Sequence, residues 1–123
     1  MKEDREQKKG RNMTYNEENW DQLVLEISKR FSVTADFDFM LFLIGVQELG
    51  EGMRPYSREE KMDLINLGKC TALARAGYLE RNGYDEGGWP AFRENDSLQS
   101  LTPSFLNYTL KRSVFDYLNE KLK

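Results

Sequence analysis

From Phe39 to Val46 the chain reads Phe-Met-Leu-Phe-Leu-Ile-Gly-Val, eight residues without a charged or strongly polar side chain. At 100° per residue such a run covers the whole circumference of a helix. A helix from about Thr34 to Leu49 is therefore predicted to have no wet side and to be enclosed by the rest of the domain. The flanking segments are patterned differently. Trp20, Leu23, Val24, Ile27 and Phe31 recur on one helical face and predict a helix from about Glu17 to Phe31. Asn16 suits its cap, Glu17 and Glu18 its positive end, and Lys29 and Arg30 its negative end. Tyr15 and Trp20 stand at the hydrophobic-staple spacing. The short Ser32-Val33 link makes the first two helices neighbours, with Thr34 capping the second and Gly50 in the left-handed position after it.

Ser57 and Glu60 form a capping-box pattern that opens a third helix, running to about Ala76 and stopping at Gly77. Met62, Ile65, Gly68, Ala72 and Ala76 are expected on its inner side, flanked by Leu64 and Leu73, with Asp63, Asn66 and Cys70 opposite. Gly68, Ala72 and Ala76 are small enough to admit a second helix closely, and the apolar helix is the natural partner. Between about residues 78 and 95, two extended stretches flank Asp85-Glu86-Gly87-Gly88 and predict a β-hairpin. Asn82-Gly83 is a rival turn, and Pro90 confines the second strand to an edge or an irregular pairing. Thr102 and Pro103 open a last helix to about Leu122. Its inner face is read as Leu106, Leu110, Val114, Tyr117 and Leu118, with Phe105, Tyr108 and Phe115 as surplus apolar surface. The predicted fold is mainly α: about four helices packed round a buried central helix, with one small hairpin.

Composition narrows the chemistry. The 123 residues suit one domain, 13–123, behind a charged tail, Met1–Asn12, predicted to be disordered. There is no histidine and a single cysteine, Cys70. This removes Ser-His and Cys-His nucleophiles, the usual zinc sites and any internal disulfide. No apolar segment approaches the roughly twenty residues of a membrane span, and a cytoplasmic location is expected. The tail holds five cations against three carboxylates, so the net charge of −3 leaves about −5 on the remainder. Such an acidic body is a poor match for a phosphate backbone.

Three constellations compete for function. The order of elements resembles a winged helix, with Lys61, Lys69 and Arg75 toward phosphate and Arg81 and Arg93 on the wing. However, Arg54 to Arg93 carries seven Lys/Arg against six Asp/Glu, a nearly neutral face. Glu48 extends the apolar stripe of the second helix. Buried, it would need a partner such as Arg54 or Arg58, or would serve as an acid–base or ligand group. Asp36 and Asp38, at the other end, suit the positive helix terminus. Tyr84, Trp89 and Phe92 surround the glycine turn as a rigid anchor for a partner, or as cover for the helices. Cys70 has Lys69 beside it and no neighbouring base, which disfavours a reactive thiolate.

The segments Asp36–Gly50, Glu59–Gly68 and Gly83–Pro90 resemble a family of small uncharacterised bacterial proteins of unknown function, over roughly residues 35–120. The resemblance implies a free-standing, single-domain cytoplasmic protein and transfers no site. Together these readings predict a non-enzymatic module that binds a protein partner or itself, with no cofactor, metal or catalytic residue. Its candidate binding residues are Tyr84, Trp89, Phe92 and Glu48. A DNA-binding regulator is the first alternative, and a carboxylate-dependent enzyme or small-ligand protein using Glu48 the second.

Overall fold

The computed structural model describes residues 14–122, so the charged tail Met1–Asn12 lies outside the described residues. Among them stand four α-helices: α1 (Glu17–Phe31), α2 (Phe37–Leu49), α3 (Arg58–Arg75) and α4 (Pro103–Leu122). A hairpin of β1 (Leu79–Tyr84) and β2 (Pro90–Glu94) and a 3-10 turn, Asp96–Ser100, connect α3 to α4. The fold is mainly α with one small antiparallel hairpin.

Local chemistry explains most boundaries. The Asn16 side chain accepts the Asn19 N–H at 2.8 Å. Ser57 and Glu60 cap each other reciprocally, at 3.1 and 2.8 Å. Gly50 (φ 81°) and Gly77 (φ 93°) take the left-handed positions that follow α2 and α3. One boundary differs from expectation. Asp36, rather than Thr34, caps α2, its carboxylate accepting the Phe39 N–H at 2.8 Å. The reason lies in the preceding link, where Ser28 Oγ accepts the Ala35 N–H at 3.0 Å and holds the chain extended until the aspartate.

The centre of the molecule is the contact of α2 with α3. Gly45 lies against the backbone carbonyl of Leu64, and Gly68 lies against that of Leu41. The two pairs are spaced one turn apart on each helix and run in opposite chain sense. A Cβ at either glycine would collide with the facing backbone. Leu64, Leu67, Gly68, Thr71 and Ala72 are the buried positions that follow from this contact. The expected inner face therefore needs correction. Met62 is 63% exposed, whereas Leu67 and Thr71 are buried. Thr71 tolerates burial because its hydroxyl donates to the Leu67 carbonyl at 2.8 Å.

α4 lies across this pair and buries Leu110, Val114, Phe115, Tyr117 and Leu118. Ser113 Oγ ties it to α3 by donating to the Ala72 carbonyl at 2.7 Å. Phe115 is a second correction: it is fully buried, with the Tyr15 ring edge-on at 5.4 Å. Only Phe105 and Tyr108, stacked at 6.0 Å, remain as exposed aromatics on α4.

In the hairpin, Leu79 pairs with Glu94, Glu80 with Arg93, Arg81 with Phe92 and Tyr84 with Pro90. Asn82-Gly83 forms a bulge rather than the turn, with Gly83 at φ 70°. The turn is at Asp85, whose carboxylate accepts the N–H groups of Gly87 and Trp89 at 2.9 and 3.0 Å.

Gly45→Ala and Gly68→Ala should each lower stability by about 2 kcal/mol or more, since the new methyl meets backbone and only a shift of the whole helix can admit it. The double variant should cost clearly less than the sum, because one displacement relieves both sites. Urea unfolding of the four proteins measures this, and simple additivity would mean that the two contacts do not share one helix separation.

Candidate functional site

The apolar run of α2 is not covered equally on all sides. Met40, Leu41, Leu43, Ile44, Gly45 and Val46 are buried, but Phe39 and Phe42, on one outward stripe, are only partly buried. Their rings belong to a row that continues to both neighbours. Phe31 meets Phe39 at 5.8 Å, Phe39 meets Phe42 at 5.9 Å, and Phe42 meets Tyr56 edge-on at 5.8 Å. Only Tyr56, whose hydroxyl donates to the Gly52 carbonyl at 2.6 Å, is buried.

Alongside this row runs an open groove of about 280 Å³ between α2 and α3, lined by Asp36, Asp38, Phe39, Phe42, Lys61 and Ile65. Met62, one helical turn before Ile65, adds an exposed, adaptable apolar side chain. Charges mark the ends. Asp36 and Asp38 stand at the N-terminus of α2. Because α2 and α3 pair in opposite sense, Lys61 lies beyond Ile65 toward the other end. Asp36 is committed to its cap.

The four residues singled out from the sequence do not gather into one site. Glu48 is partly buried and accepts a hydrogen bond from the Tyr117 hydroxyl at 2.6 Å. Of the expected arginine partners, Arg54 instead pairs with Glu51 at 2.8 Å and with Glu60 at 3.7 Å. Tyr117 is 1% exposed, with the Arg75 guanidinium 5.5 Å from its ring. Burial first, and the Glu48 carboxylate second, push its hydroxyl above the ordinary tyrosine value of 10.0. The pair bolts α4 to the end of α2. Residue types gave no signal for it, since the partners are 69 positions apart.

On the hairpin, Tyr84 is 68% exposed, with Arg81 5.3 Å from its ring. Trp89 and Phe92 instead pack against Val46, Tyr56, Leu64 and Leu67 and line a groove with Asp63, Cys70 and Asp85. Burial raises the Cys70 thiol and Lys69 only partly opposes this, so the group is a poor thiolate. Among the described residues, no cluster of three or more His, Cys, Asp or Glu could hold a metal ion, and no helix is long and apolar enough to cross a membrane.

A scan against protein-family models returns no match, and searches among curated proteins and solved structures return none either.

Tyr117→Phe should cost about 1–2 kcal/mol at neutral pH, the value of one hydrogen bond to a carboxylate that keeps some contact with water. In the wild type, the protonated hydroxyl is favoured by the fold. Its contribution to stability is therefore complete below pH 10 and declines as pH rises further. Chemical unfolding between neutral and alkaline pH, compared between wild type and variant, tests both statements. An equal alkaline decline in the two proteins would assign the loss to other groups.

Proposed function

We propose that this chain is a small, non-enzymatic protein-interaction module of the cytoplasm, and that it works through the open α2–α3 face. One observation carries the reading. A helix that is apolar on every side leaves part of its aromatic surface uncovered, beside exposed Met62 and partly buried Ile65. Partly uncovered aromatics in a shallow groove with a charged rim have the make-up of an interface core. Trp89 and Phe92 support a structural role instead, because they lean on the α2–α3 pair.

The alternatives draw less from the geometry. Of the cations that a winged helix would turn to phosphate, Arg75 is held by Glu120 at 3.1 Å and Arg93 by Glu80 at 2.7 Å. Asp63 and Asp85 line the groove between the helix and the hairpin, where DNA would have to approach. Glu48 is engaged by the Tyr117 hydroxyl at 2.6 Å, which supports a structural role for the carboxylate over an acid–base one.

A photo-activated crosslinking residue at position 62, in the full chain expressed in its own cells, should give a discrete adduct. The same residue at exposed Gln99, on the 3-10 turn, should not. If the two positions give the same diffuse background, the open face is not an interaction site and the reading fails.

A further inference from the structure

The groove on the open face is charged in a particular order: carboxylates at one end, apolar surface in the middle, a lysine at the other. A surface with that order is complementary to its own reverse. Laid face to face about a two-fold axis that lies in the contact and crosses both helices near Phe42 and Ile65, the acidic end of each groove falls on the Lys61 end of its counterpart. The aromatic and Ile65 surfaces meet between them. A parallel arrangement would set Asp36 and Asp38 on their own copies, and repulsion excludes it.

We propose that the open α2–α3 face is the contact between two copies of this chain, related by that two-fold axis. The inference rests on the interaction reading above and names its partner. One further observation agrees with it. No ion pair is recorded for Asp38 or Lys61 among the described residues, so neither charge has to leave a partner within its own chain to pair across the axis. The chain is acidic on balance, so the Asp38–Lys61 pairs and the apolar centre have to outweigh a net repulsion between copies. The contact buries Phe39, Phe42 and Ile65 at its centre and leaves Asp38, Lys61 and Met62 at the rim. The apolar centre provides the affinity and the rim charges provide the register.

The test exploits the symmetry. Full-length wild-type protein in sedimentation velocity, from micromolar to sub-millimolar concentration, should shift from the 14.5 kDa chain to twice that mass. Lys61→Glu and Asp38→Lys, each shown folded by circular dichroism, should dimerise at least about tenfold more weakly, because like charges then face each other at both ends. Mixed one to one, the two variants restore both opposite-charge pairs and should form a heterodimer close to wild-type affinity. If either substitution unfolds the chain, Met62→Lys on the exposed rim replaces it and should weaken the dimer by itself. A wild type that stays monomeric throughout overturns the proposal, as does a mixture no tighter than its components. If crosslinking at position 62 captures a different chain while the wild type stays monomeric, self-pairing fails and the interaction face stands. If no discrete adduct forms at all, both fail.

Discussion

The backbone contact between α2 and α3, made through Gly45 and Gly68, is the constraint on which the other packing depends. It sets the helix separation at a distance that no side chain can share, and so it fixes which residues of α3 turn inward. Leu64, Leu67, Thr71 and Ala72 are buried because they flank Gly68, whatever their individual hydropathy. The same closeness lets one α4 lie across both helices, hydrogen-bonding to α3 through Ser113 and to α2 through Tyr117. The hairpin in turn uses the α2–α3 pair as its support, through Trp89 and Phe92.

This constraint also explains why the open face exists. α2 spends one side on α3 at backbone distance and others on α1 and α4. The stripe of Phe39 and Phe42 packs on the core from beneath and is left partly uncovered on its outer side, in contact with Phe31 and Tyr56. Aromatic rings in edge-on and tilted contact protect one another without closing the surface. The result is a partly open apolar surface whose rings brace one another, an arrangement that would lower the ordering cost of any association there.

Local signals in the sequence were enough for most of the fold. The cap at Asn16, the Ser57–Glu60 box, Gly50 and Gly77 all act within one helical turn, and each marks its boundary as it reads. The apolar run likewise marks the central helix. What could not be read depends on pairing at a distance. Gly68 was legible by its small size, but a hydropathy pattern treats Thr71 as neutral, and it lies on the buried face because of what stands opposite. Met62 counts as apolar and is exposed for the same reason. Phe115 looks like surplus until Tyr15 is placed beside it. Glu48 asks for a partner in any reading, but nothing near it in sequence names Tyr117. Of the candidate site, the charges of Asp38 and Lys61 were visible; their arrangement at opposite ends of one groove was not.

The Glu48–Tyr117 hydrogen bond has a consequence for how the molecule assembles. α2 and α3 are adjacent in the chain and can close their glycine contact soon after both are made, at low loop-closure cost. The partners that complete them, Ser113 and Tyr117, come 41 and 69 positions after the groups they bind. Until residues 103–122 have been made, neither the Ala72 carbonyl nor Glu48 has its α4 partner, and the side of α2 and α3 that α4 covers has no cover. Any pairing of α2 with α3 before that point would expose this apolar side to premature association, an exposure that docking of α4 ends.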